Sequence, residues 1–226
     1  MTDDALAARA TRIGTLADPI RQRLYRFIAR QPEPVSREQA ADALEVPRHT
    51  ARFHLERLVE AGLLATEFRR LSGRSGPGAG RPAKLYVRAQ GEVNVSIPSR
   101  RYDLAGEVLA DAVERALGGV EMPRALSDAA KAAAVAVADA IAPEQGPSGF
   151  QTALLRLGYE PRAEAATTVL TNCPFQRLAA GHEELVCGVN EEFLIALADQ
   201  VDCDRPVTRR PRSGGGCCLQ VGPRAT

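Results

Sequence analysis

The sequence predicts a mainly α-helical chain with α+β parts, organised as three segments over residues 1–90, 91–145 and 146–226. Three observations predict it. Residues 1–90 hold helical-period apolar runs with start and stop residues, followed by two alternating runs around a glycine-rich turn. Residues 91–145 read as a polar linker followed by helical patterns rich in alanine. The last segment mixes short strand and helix patterns and carries all five cysteines, Cys173, Cys187, Cys203, Cys217 and Cys218. With 226 residues, 45% hydrophobic and 25% charged, the chain can bury a real core as one large or two modest domains.

In the first segment, Asp18 is placed to cap a helix with Pro19 at its first position. Ile20, Leu24, Phe27 and Ile28 recur at helical spacing until Gln31-Pro32 stops it. Ser36 followed by Gln39 forms a capping box for a short second helix through Ala40 and Leu44, and Glu45-Val46 makes the turn. The third helix runs from Pro47 to Ala61 with Gly62 as its left-handed cap, and Ala51, Leu55, Leu58 and Val59 form its buried stripe. Leu64 to Arg70 then alternates, with Leu64, Thr66 and Phe68 on one face, and Ala83 to Arg88 returns as its partner. Between them lies a glycine-rich, cationic hairpin tip, residues 71–82. This order of elements is a winged helix-turn-helix.

A short helix, a tight turn and a longer helix with cationic residues on its exposed N-terminal face suit the major groove, where base edges project toward a helix. Arg48, His49, Thr50 and Arg52 are the candidate contacts there, with Arg48 and Arg52 on bases or phosphates. His54, near the edge of the buried stripe, is either a further contact or a half-buried core histidine. In the hairpin tip, Arg74 and Arg81 can enter the minor groove, and Lys84 is placed for phosphate. Charge agrees: the net charge of +1 hides a first half, residues 1–101, with an excess of Arg and Lys, and an acidic remainder. Composition bias and a solvated basic face are the competing readings of charge alone. The order of elements favours double-stranded DNA.

Ala89 to Arg101 reads as a linker that leads into a helix from about Tyr102 to Leu117, and a second, alanine-rich helix covers Ser127 to Ile141. Small residues permit close helix approach, so this surface can pair two copies and space two wings across a palindrome; plain intramolecular packing is the alternative. Pro143 to Gly149 is the next breaker. Beyond it, Phe150–Leu157 reads as a helix ended by Gly158, Ala165–Thr171 as a strand, Phe175–Ala180 and Glu183–Val201 as helices, and Val207 and Leu219–Val221 as weak strands.

No apolar targeting segment follows Met1, and the longest apolar run, Ala132 to Ala138, is mostly alanine. A cytoplasmic protein with no membrane association is expected. There an odd number of cysteines points to metal binding or reactivity. Cys173 sits where a strand ends and a helix begins, a position that favours a thiolate, and Cys217 and Cys218 follow a Ser-Gly-Gly-Gly loop. Close Cys-x-x-Cys pairs typical of structural zinc are absent, whereas cubane iron-sulfur clusters tolerate long loops between thiolates. Zinc, a thiol-disulfide switch and inert buried cysteines remain alternatives. Cys203 is the weakest ligand because Asp202 and Asp204 disfavour its thiolate. Cys218, His182 or a carboxylate could then complete a site, although His182 reads as well as a surface residue. Arg209, Arg210 and Arg212 are cations that could tune such a centre or simply form a solvated loop. No oxyanion-hole motif, phosphate loop or acid partner accompanies Cys187, Cys173 and His182, which argues against an enzyme or a small-molecule substrate.

The stretch Val46-Pro-Arg-His-Thr-Ala-Arg-Phe-His-Leu-Glu-Arg-Leu-Val-Glu-Ala-Gly-Leu-Leu64, with Gly80-Arg-Pro-Ala-Lys-Leu-Tyr86, resembles the ArsR-like winged-helix repressors. Leu157-Gly-Tyr-Glu-Pro161, Asn172-Cys-Pro-Phe175, Leu185-Val-Cys187 and Gly216-Cys-Cys218 resemble the SufR-type regulators, which carry an iron-sulfur cluster and repress cluster-assembly genes. The resemblance implies a homodimeric repressor of a palindromic operator, holding an iron-sulfur cluster of the [4Fe-4S] type. Cys173, Cys187 and one of Cys217 and Cys218 are its surest ligands, and the cluster-bound form binds DNA. This chain has five cysteines where such proteins carry about four, so the ligand set at the C-terminal end stays open.

Overall fold

The computed structural model describes residues 3–69, 82–141, 144–211 and 216–223, and the chain divides into two compact units, residues 3–95 and 96–226. The first contains α1 (Asp3–Gly14), a 3-10 turn (Thr15–Ala17), α2 (Pro19–Ala29), β1 (Val35–Ser36), α3 (Arg37–Leu44), α4 (Arg48–Glu60), β2 (Leu64–Arg69) and β3 (Ala83–Arg88). Asp18 caps α2 by accepting from the Ile20 and Arg21 amides at 2.9 and 3.0 Å. Ser36 and Gln39 close the capping box of α3 with bonds of 3.1 and 2.8 Å. Glu45 ends α3 in the left-handed region at φ 54°, which turns the chain so that Val46 is buried and α4 can begin. Gly62, at φ 66°, stops α4 as its composition predicts.

Leu24 of α2, Leu55 and Leu58 of α4 and Leu64 of β2 are completely or almost completely buried in one cluster. Each contributes about 1.5–3 kcal/mol through lost apolar exposure. The sheet has the order β1-β3-β2, all antiparallel, with β2 and β3 in register from Leu64↔Arg88 to Arg69↔Ala83. Burial fades along β2 because the core lies beneath its first residues. Phe68, which shares a face with Leu64 and Thr66, is consequently 66% exposed.

Helix α1 has no counterpart in the sequence reading, since its short, largely alanine apolar content carries little periodic signal. It is tied to the end of α4 by Arg12, whose Nε and Nη2 donate to the carbonyls of Ala61 and Gly62 at 2.9 and 2.8 Å. A cation on C-terminal carbonyls also complements the helix dipole.

The second unit contains α5 (Tyr102–Leu117), α6 (Met122–Ile141), α7 (Gly146–Leu157), β4 (Pro161–Glu164), β5 (Thr167–Leu170), α8 (Gln176–Gly181), α9 (Glu183–Gln200), β6 (Val207–Arg209) and β7 (Leu219–Val221). Helices α6 and α7 begin earlier than expected, with Pro123 and Pro147 in their first turns, where a missing amide proton breaks no helical bond. The strand expected over 165–171 is half of a β4–β5 hairpin turned at Ala165, which takes a left-handed φ of 51°. The antiparallel sheet order is β4-β5-β7-β6.

The alanine stripe of α6 is spent inside this unit. Ala125, Ala129, Ala130, Ala134 and Ala138 are buried, and α6 packs on both α5 and α9. The small-residue face thus serves intramolecular packing rather than a partner copy, while Val113, Leu117, Met122 and Val135 remain exposed. Among the described residues, no helix is long and apolar enough to cross a membrane.

Candidate nucleic-acid interface and thiol centre

Helix α4 follows the turn at Glu45-Val46 and buries Ala51, Leu55 and Leu58, which forces the residues between them outward. Arg48, His49, Arg52, Phe53, Arg57 and Glu60 are exposed, and Thr50 is partly so. They form a continuous ridge at spacings of three and four. Arg48 lies 3.7 Å from Asp42, with both side chains largely in solvent, so this pair restrains the guanidinium weakly. Phe53 is 54% exposed in the middle of the ridge, with the Arg57 guanidinium 5.6 Å above its ring.

Two expected contacts do not face outward. His54 is 8% exposed, and its Nδ1 lies 3.8 Å from the Asp18 carboxylate that caps α2. It belongs to the packing between α2 and α4 rather than to a groove-facing surface. Lys84 is turned onto Glu56 of α4, with Nζ donating to both carboxylate oxygens at 2.7 and 2.8 Å. The reason is its register on β3: Lys84 and Tyr86 share the face that meets α4, and the Tyr86 hydroxyl donates to the same carboxylate at 2.8 Å. The Lys84 and Tyr86 hydrogen bonds hold the Glu56 carboxyl below its ordinary range against the opposing effect of burial, with the Lys84 bond the strongest influence. Lys84 therefore fixes the wing to the recognition helix instead of standing ready for phosphate. Arg74 and Arg81 lie outside the described residues.

In the second unit, strand pairing brings distant cysteines together. Because β5 and β7 are antiparallel, with Thr168↔Val221 and Val169↔Gln220, the end of β5 adjoins the start of β7. Cys173 follows the former, while Cys217 and Cys218 precede the latter, and the Cys217 amide donates to the Leu170 carbonyl at 2.9 Å. Cys187 reaches the same place from the second turn of α9. The Cys217 thiol hydrogen-bonds with those of Cys173 and Cys218, and Cys218 with Cys187. All four are buried, and none of them forms a disulfide.

Their protons are unequally held. Hydrogen bonds with Cys173 and Cys218, and then burial, push Cys217 far up, so it keeps its proton. Cys218 is held down to about 6, first by the hydrogen bond from Cys217, then, against the cost of burial, by those from Cys187 and its own backbone and by the Arg209 charge. Arg209 is itself kept protonated by its bond to Glu191 at 2.6 Å, with Cys218 and Cys187 adding to the effect. The low Cys218 thiol and the high Cys217 thiol thus lie side by side, with the Arg209 cation favouring the charge on the former.

The fifth cysteine is elsewhere. Burial raises the Cys203 thiol, opposed by the Arg205 amide and aided by Asp204, and the other four cysteines do not act on it. Its backbone closes the end of α9 through a bond to the Ala198 carbonyl at 2.9 Å. Cys203 is thus removed from the convergent set, and exposed His182, at the junction of α8 and α9, does not replace it. Among the described residues, no group of three or more His, Cys, Asp or Glu side chains is placed to hold a metal ion.

Residues 16–67 match the family model of a helix-turn-helix domain. The chain is a DNA-binding transcriptional regulator. The match begins at the turn before α2 and ends within β2, and so covers the helices that position the ridge of α4. No curated protein matches the chain.

Several residues of this regulator escaped the sequence reading. Phe53 and Arg57 stand on the recognition ridge, and helical periodicity from Arg48 and Arg52 was the signal that could have found them. Around the thiols, Asn190 of α9 donates to Cys217 Sγ at 3.6 Å and accepts from the Tyr159 hydroxyl. Tyr159 is completely buried, and burial above all, then the nearby Cys217, Cys173 and Cys218, raises its hydroxyl well above the ordinary range. A Tyr–Asn–Cys chain of this kind fixes the direction of a sulfur lone pair and supplies a hydrogen bond to it. Nothing in the local sequence marks Asn190, since its partners come from segments about thirty residues away on either side.

Proposed function

We propose that this regulator senses through Cys173, Cys187, Cys217 and Cys218, which together hold an iron-sulfur cluster of the [4Fe-4S] type, and that ligation of these thiols sets its operator affinity. The reading rests on one observation: four buried thiols from three separate segments converge, with a hydrogen-bond donor and a cation beside them. Four sulfurs match the four corners of a cubane, and Arg209 and Asn190 are the neutralising charge and sulfur-directed hydrogen bond by which proteins tune such centres. When bound, the cluster supplies redox and oxidant sensitivity to this pocket. The protein's part is to tie the loop after β5, the second turn of α9 and the segment before β7 into one body, and to release them when ligation is lost.

On the DNA side, Arg48 and Arg52 read bases or phosphates in the major groove, with His49 and Thr50 beside them. Phe53 packs against thymine methyl groups. Arg74 and Arg81 follow the minor groove. Two copies, meeting in part through Val113, Leu117 and Met122, address a palindrome as a repressor, with the thiol-ligated form the tighter binder and cluster-assembly genes the targets.

Purification without oxygen tests the sensor reading. A brown protein with about four irons and four acid-labile sulfides per chain is expected. Operator binding should fall at least about tenfold when the metal is removed. Equal affinity in both states overturns the sensor. A colourless protein with stoichiometric zinc, which an all-thiol donor set also suits, overturns the cluster assignment and leaves a zinc-stapled regulator.

A further inference from the structure

The segment that leads out of the DNA-binding unit does not run freely into α5. Residues 96–101 are strapped across the loop that bears Cys173. Arg100 is the clasp: Nη1 donates to the Asn172 side-chain oxygen, to the Cys173 carbonyl at 3.2 Å and to the Ser99 carbonyl at 3.1 Å, and Nη2 donates to Gln176 Oε1 at 2.8 Å. Asn172 is almost wholly buried and reaches back, its Nδ2 donating to the carbonyls of Ser99 and Gly158. The Arg101 amide adds a bond to the Pro174 carbonyl at 3.2 Å, and the Arg100 amide one to Ser96 Oγ at 2.7 Å. Gly158 lets the strap lie close, because a Cβ there would stand 2.6 Å from the Ser99 Cβ.

This is an unusual use of an arginine. Its four acceptors are neutral oxygens, three of them on residues 172, 173 and 176 that flank or belong to the thiol loop. A guanidinium bonded through several donors in a fixed planar fork is held in position as well as in place, so movement of its acceptors is carried into its own backbone. That backbone is five residues from Val95, where the DNA-binding unit ends.

We infer that Arg100 is the positioning residue that couples the state of Cys173 to the DNA-binding unit, by clasping the connecting strap to the Asn172–Cys173 peptide. The inference rests on the ligation-controlled reading above, and adds the route by which the control travels. Drawing Cys173 toward a shared centre shifts the Cys173 carbonyl and, through the adjacent peptide, Asn172. Arg100 follows, and with it the angle at which residues 96–99 leave the unit. Release of the thiol frees the strap.

The test uses the full-length protein, loaded anaerobically with iron and sulfide or stripped of both, and a duplex selected from a random pool by the loaded wild type. Arg100→Met keeps the aliphatic stem and deletes the donors. Its loaded-to-stripped affinity ratio is expected to fall from about tenfold or more to within about twofold, with iron, sulfide and the visible spectrum per chain unchanged. Hydrogen exchange across residues 93–101 should become the same in both states. Gln176→Met, which removes one acceptor and leaves the others, is the milder variant, and should lower the ratio by about threefold with unfolding temperature unaltered. Variants that bind the cluster and retain the wild-type ratio overturn the clasp while leaving the sensor intact. A wild type without any ratio overturns the sensor itself, and the clasp with it.

Discussion

The two units carry their working residues in opposite ways. In residues 3–95 the working surface is exposed, lies on a single helix and is formed from residues within a dozen positions of one another. In residues 96–226 it is buried and assembled from segments up to forty-five positions apart. A DNA-reading face needs solvent-facing charge on a rigid rod, which one amphipathic helix supplies. The thiol group draws its sulfurs from the loop after β5, from α9 and from the segment before β7, so it exists only once those segments are packed together. The sequence periodicity that orients the first is silent about the second.

Cysteine exchange should break this contrast most sharply. Cys173→Ser or Cys187→Ser is expected to abolish iron and sulfide binding in anaerobically loaded protein, whereas Cys203→Ser leaves both within error of wild type. Metal and sulfide assays on the three variants decide it. Loss on Cys203→Ser equal to that on Cys173→Ser would mean that the thiols regroup on ligation and that the convergence seen here is not the ligand set.

Changes on the ridge of α4 should act on DNA alone. Arg52→Ala is expected to cost about 1–3 kcal/mol of operator binding, and Phe53→Ala about 1 kcal/mol. Both should leave iron content untouched. For Phe53→Ala the loss should shrink on a duplex in which uracil replaces thymine, since the methyl group is the proposed partner. The same loss on both duplexes would reduce Phe53 to a platform for Arg57.

How far each unit was legible follows from where its signals lie in the chain. Asp18-Pro19, Ser36 with Gln39, and Gly62 are local devices, satisfied within three or four residues, and all act as their types predict. Helix α1 was missed because its anchor, Arg12, bonds to carbonyls 49 and 50 positions away. Strand β1 has two residues and exists through its pairing with Leu85 and Tyr86. Lys84 was misread for the same reason: its charge is addressed by Glu56, on another element. The cysteines could be named in advance, but grouping four and excluding Cys203 depended on the β5–β7 register and on the turn of α9 that carries Cys187.

The Tyr159 hydroxyl offers a measure of how rigid the thiol pocket is. Tyr159→Phe leaves one side of the Asn190 amide without its donor in a buried site, and is expected to lower the stability of the second unit by about 1–3 kcal/mol. Hydrogen exchange of α9 and β7 amides in full-length protein measures it, with α4 amides as the internal reference. Equal loss in both units would show that they unfold together and that the comparison between them has no thermodynamic counterpart.

The smallest effect lies at Glu56, where acid should weaken the first unit alone. The bond from Lys84, followed by that from Tyr86, depresses the folded carboxyl below its unfolded value. A group depressed in this way adds stability that is fully present above the unfolded carboxylate range, about 4.3, and is lost as pH falls through the folded value. The pair is partly solvated, so the contribution is about 0.5–1 kcal/mol. Glu56→Gln should therefore flatten the pH dependence of α4 and β3 exchange below about pH 4.5, while leaving that of α9 and β7 as in wild type. An unchanged slope at α4 would show that the wing is held to the recognition helix by Tyr86 packing and not by the charge on Glu56.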